Sequence, residues 1–221
     1  VVANPKGGVG KSTLATNVAG YFASRGHAVM LGDIDRQQSS RQWLAMRAAH
    51  LPLIQGWELS HHEIVRPPKG TTHVVLDTPA GLHGKRLDAV LRIAHKLLIP
   101  LQPSLFDIQA THSFLGALRA HPRFDGIDLA LVGMRVREHT ISNDQLHQYL
   151  ATLNVPVVAW LRDQYREHGH TPNFRNMLKA VAEDVLPGCD SKALYDLFPI
   201  GPAKQGCKVA GLPQPLGKGG Y

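Results

Sequence analysis

Asn4-Pro5-Lys6-Gly7-Gly8-Val9-Gly10-Lys11-Ser12-Thr13 is the stretch that decides the fold. Val1-Val2-Ala3 before it reads as the end of a buried strand, and Leu14-Ala15-Thr16-Asn17-Val18-Ala19 after it reads as a helix. A glycine-rich turn between strand and helix aims successive backbone N–H groups, and the positive end of the helix, at one point. That point suits a polyphosphate. Gly7, Gly8 and Gly10 let the backbone come close without Cβ clashes. Lys11 can reach the β- and γ-phosphates, and the Ser12 hydroxyl can ligate magnesium. The usual phosphate loop has a glycine where Pro5 stands, and this one carries a second lysine, Lys6, directly before the glycine pair.

Two further boxes follow in order. Ala28-Val29-Met30-Leu31-Gly32 is a short apolar run of the kind buried in a parallel sheet. It ends in Asp33-Ile34-Asp35-Arg36-Gln37-Gln38-Ser39-Ser40, which puts two carboxylates where α/β sheets hold their ligand-contacting residues. His73-Val74-Val75-Leu76-Asp77 is a second apolar strand ending in a carboxylate, placed to hold a magnesium-bound water, and Thr78-Pro79-Ala80-Gly81 completes the box.

Lys6-Gly7-Gly8-Val9-Gly10-Lys11-Ser12-Thr13 resembles the deviant Walker A box of the ParA/MinD family of ATPases. The resemblance implies ATP and Mg²⁺ as cofactors, with Gly7, Gly8, Val9, Gly10, Lys11, Ser12 and Thr13 binding the nucleotide. It also implies that Lys6 reaches across a dimer interface to the partner's nucleotide. The second box resembles the family's Asp-x-Asp-Pro-Gln segment, in which Asp35 would position the attacking water and Asp33 would lie near the metal. Arg36 stands where the family usually has proline. Asp77-Thr78-Pro79-Ala80-Gly81 resembles the segment that senses the γ-phosphate. On this reading Lys6, Lys11 and Asp35 are catalytic, and Ser12, Asp33 and Asp77 serve the metal.

The rest of the chain alternates in the same way. A helix is expected over 11–24, stopped by Gly26, and another around Trp43, Leu44 and Met46, with its apolar face on the sheet. Residues 50–70 are punctuated by Pro52, Gly56, Pro67, Pro68 and Gly70 and predict little beyond one short strand or turn of helix. Helices are expected over 87–94, 109–118 and 143–153, the second facing an interface, and strands over 96–100, 129–136 and 155–161. Leu146, Tyr149 and Leu150 share one helix face. The result is an α/β fold: a doubly wound, mostly parallel sheet with helices on both faces. Phe174, Met177, Leu178, Val181 and Val185 can form a closing helix, giving one P-loop domain over 1–198. Residues 199–221 hold four prolines, six glycines, three lysines and no acid, and are expected to form a mobile basic tail.

The 221 residues suit one α/β domain, with 43% apolar and 19% charged residues. No apolar run is long enough for a membrane span, and no leader precedes the phosphate loop, so a cytoplasmic protein is expected. Cys189 and Cys207 have no metal or redox spacing, and His61-His62 reads as a solvated loop pair. A net charge of +7 favours polyanionic partners.

Among family members, the chain resembles short, stand-alone ParA-type proteins that space cargos over the nucleoid. Gln37-Gln38-Ser39-Ser40-Arg41-Gln42-Trp43 matches a motif of that group, which includes proteins that distribute carboxysomes. This implies an ATP-bound homodimer, non-specific DNA binding with nucleoid association, and a cognate adaptor that stimulates a low basal hydrolysis. Arg135, Arg137, Arg162, Arg166, Arg175 and Lys179 are the candidate DNA contacts. A MinD-like membrane ATPase would need a basic amphipathic C-terminal helix, which the Pro/Gly-rich end disfavours. A metal-cluster carrier would need cysteines near the switch loops. A small-molecule P-loop enzyme of related fold would not explain Lys6.

Overall fold

The computed structural model describes residues 1–58, 66–137, 139–153, 155 and 157–162. Its elements run α1 (Lys11–Ser24), β1 (Val29–Asp33), α2 (Ser39–Ala45), β2 (Ile54–Trp57), β3 (His73–Asp77) and α3 (Gly84–Leu91). Then come β4 (Lys96–Leu101), α4 (Leu105–Arg119), β5 (Asp128–Val136), α5 (Ile141–Ala151) and β6 (Val157–Arg162). All pairings among the described strands are parallel, in the orders β2-β1-β3 and β4-β5-β6. The N-terminal residues join the two halves: Val2 N donates to Leu76 O at 2.9 Å and Ala3 N to Leu98 O at 3.0 Å. The phosphate loop therefore leaves from the middle of the sheet.

Strands β1, β3, β4 and β5 are largely buried on both faces because their successive side chains feed two separate cores. Val2, Leu31, Val75, Leu98 and Val132 pack with Leu14, Ala15, Val18 and Phe22 of α1. Ala3, Met30, Leu76, Leu97, Ile99 and Leu131 pack with Leu87 and Val90 of α3, Phe114 and Leu118 of α4, and Leu146 and Leu150 of α5. This is the expected doubly wound architecture. Full burial of each large apolar side chain contributes about 1.5–3 kcal/mol, and both faces depend on it.

At α4 and α5, caps account for starts earlier than the sequence expectation. α4 begins at Leu105 because the Ser104 hydroxyl accepts from Asp107 N and donates to Asp107 Oδ2, a reciprocal cap. α5 begins at Ile141 behind Thr140, whose hydroxyl accepts from Asn143 N. Met46 does not pack on the sheet, contrary to expectation. The two-turn α2 ends at Ala45, so Met46 lies past its end and is 78% exposed. Trp43 and Leu44 do pack against the α1-side core, partly buried. The expected helix near 174–185, the tail 199–221 and His61-His62 lie outside the described residues.

Candidate functional site

The phosphate loop is a built concavity. Gly8 has φ +76° and Gly10 φ +95°, conformations that L side chains adopt at a cost, and Gly10 ends the loop as the N-cap of α1. No side chain caps α1, so the N–H groups of its first turn remain directed into the loop. Asn4, fully buried, fixes the loop's start. Its Nδ2 donates to Pro100 O at 2.8 Å and Thr111 Oγ1 at 3.1 Å, while its Oδ1 accepts from Lys6 N at 2.8 Å. Further along, Gln102 Nε2 donates to Gly8 O at 2.8 Å, and Gly81 N donates to Pro5 O at 2.9 Å. Both neighbouring loops are thereby tied to the glycine turn.

Lys11 is buried and its ammonium donates to Lys6 O at 2.8 Å, inside the loop. Burial lowers its pKa, against the opposing pull of the Asp77 and Asp35 carboxylates. Lys6 points elsewhere: its Nζ lies 5.7 Å from the ring centroid of Phe106, which is 74% exposed beside Leu105 at the start of α4. The two lysines of the box thus serve different surfaces, one the loop interior and the other an apolar patch at its rim.

β1 and β3 are in register so that Asp33 lies opposite Asp77 at the C-terminal end of both strands. The two carboxylates have different environments. Asp33 Oδ1 accepts from Asp35 N at 3.0 Å, and Oδ2 accepts from Ser40 N at 2.9 Å and Arg41 N at 3.3 Å. Asp33 therefore holds the Asp35 turn and the start of α2 in place. Burial raises its pKa, and those three N–H donors offset part of the rise. Asp77 is 1% exposed; its Oδ2 accepts from Ser40 Oγ at 2.7 Å. Its Oδ1 is buried without a hydrogen-bond partner. Burial pushes the Asp77 carboxyl up, countered by the nearby Ser12 and Ser40 hydroxyls. Asp35 itself accepts from Gln37 N at 3.0 Å, and Gln38, at φ +52°, closes the loop by donating to the Asp33 and Asp35 carbonyls.

A magnesium ion fits this donor set. A buried carboxylate oxygen lacking a partner, near the Ser12 hydroxyl, is the arrangement that a hard cation completes. Ser12 would ligate it and Asp77 would hold one of its waters. Among the described residues no group of three or more His, Cys, Asp or Glu forms a metal cage.

The structure brings Asp35 and Asp77 close enough to Lys11 to act on its charge, and places Gly7 to Gly10 in the loop and Lys11, Ser12 and Thr13 in the first turn of α1. Asn4, Ser40 and Gln102 were not singled out by the sequence reading. Asn4 and Ser40 sit inside the boxes but resemble ordinary polar loop residues. Gln102 lies within Leu101-Gln102-Pro103-Ser104, a stretch that resembles the family's loop after this strand but carries no role for the glutamine in the sequence.

Residues 1–61 match the AAA domain family. A carboxysome distribution protein, "Maintenance of carboxysome distribution protein A" of Gloeobacter kilaueensis, is 36% identical over 113 residues, 48% of this chain and 50% of that protein. A plasmid partition protein from Borrelia burgdorferi superposes with a TM-score of 0.64 at 16% identity, covering 82% of this chain and 97% of the other. The N-terminal part of the chain is thus similar in sequence to a ParA/MinD-type ATPase and shares the fold of that family's solved structures. A ParA structure bound to nonspecific DNA shares the fold at a TM-score of 0.54 and 19% identity, covering 76% and 81%.

Residues 137–217 match a different family, DsrC like protein. The "Sulfurtransferase TusE homolog" of Haemophilus influenzae is 47% identical over 62 residues, 27% of this chain and 55% of that protein. The chain spans about half the length of the curated relatives it matches. The DsrC match starts before α5 and β6, which complete the P-loop sheet, and runs across residue 198. Among the described residues no helix is long and apolar enough to cross a membrane.

Proposed function

We propose that the N-terminal part of the chain is a ParA/MinD-family domain and acts as a cargo-positioning ATPase. It binds MgATP in the Gly7–Thr13 turn, forms a sandwich dimer, holds DNA without reading its sequence, and hydrolyses ATP when an adaptor completes the site. The observation that supports this most is the division of labour between two lysines. Lys11 turns into the phosphate loop, and Lys6 extends to the rim beside Phe106, where a second subunit can meet it. Asp35 orients the attacking water, since phosphoryl transfer rests on positioning and charge neutralisation. The 36% identity to a carboxysome distribution protein supports positioning of a protein compartment or similar cargo. Sedimentation with a non-hydrolysable ATP analogue, together with ATP turnover of wild type and Asp35→Ala, tests the reading. A wild type that remains monomeric and does not hydrolyse ATP overturns it. ATP-dependent binding to anionic vesicles in place of DNA would assign the chain to the MinD-like membrane alternative.

A second reading concerns residues 137–217 and is favoured by their match to a sulfur-handling family. Cys189 and Cys207, the two cysteines of the chain, both lie in this interval. We infer that one of them accepts a sulfane sulfur as its thiolate attacks a donor persulfide, leaving a protein persulfide and the donor thiolate. The P-loop domain and a sulfur-transfer segment would then share one chain, in place of a domain over 1–198 with a tail. Intact-mass measurement after exposure to a small-molecule persulfide tests this. A 32 Da addition (approximately one sulfur, by the exchange just written) that is lost in Cys207→Ser or Cys189→Ser supports it; no thiol-dependent adduct overturns it.

A further inference from the structure

We propose that Ser40 is a positioning residue that links the loop carrying Asp35 to the carboxylate serving magnesium. This rests on the ATPase reading above. Ser40 is fully buried, and it contacts both aspartates at the sheet's edge: its hydroxyl donates to Asp77 Oδ2 at 2.7 Å and its amide to Asp33 Oδ2 at 2.9 Å. Two consequences follow from the geometry. Because Oδ2 of Asp77 is engaged by Ser40, the partnerless Oδ1 is the atom left to address the metal's water, and the carboxylate cannot rotate without breaking the bond. Because Ser40 lies in the first turn of α2, directly after the loop, any shift of Asp77 is passed to residues 34–39. That loop has another tether at its start, Ile34 N to Asp77 O at 3.1 Å. Both ends of the Asp35 loop thus fasten to the same residue. Ser40 lets the metal end of the site sense where the water-orienting carboxylate is, and the reverse.

The test compares wild type and Ser40→Ala by the affinity of a fluorescent ADP analogue in EDTA and in Mg²⁺, and by kcat and KM for MgATP. Removing the hydroxyl should leave the EDTA affinity within about twofold, shrink the magnesium-dependent gain at least fivefold with a matching rise in KM for MgATP, and lower kcat about tenfold, because Asp77 loses its orientation and keeps its charge. An unchanged magnesium gain and kcat overturns the proposal, as does an equal loss of affinity with and without the metal, which marks a structural role. If Ser40→Ala is insoluble, Ser40→Cys replaces it: similar in size and a weak donor, it should give an intermediate magnesium gain, and a wild-type gain overturns the proposal. Failure of the ATPase reading is distinguishable, because wild type would then show neither turnover nor a magnesium-dependent gain.

Discussion

The Lys11 ammonium donates to the Lys6 carbonyl oxygen at 2.8 Å, so the phosphate loop encloses its own cation. The contact pre-places the charge in the concavity formed by Gly8 and Gly10, and a phosphate exchanges a neutral acceptor for an anionic one. Charge-assisted bonds contribute about 1.5–3 kcal/mol. Lys11→Ala should therefore weaken ATP binding about 10- to 100-fold while leaving the fold intact, measured by titration calorimetry. Equal affinity would show that Lys11 does not meet the phosphates.

Asp77 places a charge where burial disfavours it, with one oxygen lacking a partner. Asp77→Asn should raise the melting temperature of the ligand-free protein by about 2–4 °C at pH 7.5, a gain near 1 kcal/mol, and abolish the extra stabilisation that Mg²⁺ gives to the ADP-bound form. The sign with pH follows from the direction of the shift. A carboxyl whose folded pKa lies above the ordinary 3.8 costs nothing while protonated, and the cost appears as pH rises from 3.8 through the folded value. The advantage of Asp77→Asn should be full above that window and vanish below it. A melting temperature lower than wild type at pH 7.5 would refute the account.

How much of this was legible in the residues depends on the kind of signal. Glycine, lysine and apolar runs are read directly, so α1 begins and ends where expected, at Lys11 and Ser24, and β3 likewise runs from His73 to Asp77. Cap positions were less visible because Ser104 and Thr140 look like loop residues until the amides that donate to them are known. Ser40 is silent for a related reason. One serine in Gln37-Gln38-Ser39-Ser40 becomes informative only when parallel pairing brings Asp33 and Asp77 side by side, a contact 37 residues distant. The 137–217 match was missed because periodicity and composition see Pro/Gly-rich stretches as punctuation, whereas the likeness lies in particular residues.

The rim patch gives a test of assembly. Phe106 and Leu105 are exposed by 74% and 65%, large apolar groups at the mouth of a charged site, and Lys6 lies over the Phe106 ring. Burial of one such ring is worth about 1.5–3 kcal/mol. Phe106→Ala should weaken the ATP-dependent dimer about 10- to 100-fold in sedimentation, while one-subunit nucleotide binding changes less than twofold. Lys6→Ala should remove both dimer and turnover. A Phe106→Ala variant that dimerises like wild type would place the interface elsewhere.

DNA binding is the remaining expectation, and charge decides its form. A subunit of net charge +7 paired by ATP presents twice the positive charge. Counterion release makes log K fall linearly with log salt, with a slope of about −0.9 per phosphate neutralised. Doubling the contacts therefore doubles the slope and raises the affinity at low salt by orders of magnitude, without any base contact. Arg135 and Arg137 are exposed at the C-terminal end of β5, whereas Arg166, Arg175 and Lys179 lie outside the described residues. Unrelated duplexes should bind equally in ATP, weakly in ADP, and with a salt slope about twice as steep in ATP. Arg135→Ala should reduce that slope by about two units per dimer, one contact from each subunit, and leave ATP turnover unchanged. Identical slopes in ATP and ADP would show that pairing does not gather the charge, and an unchanged slope in Arg135→Ala would remove that residue from the contact surface.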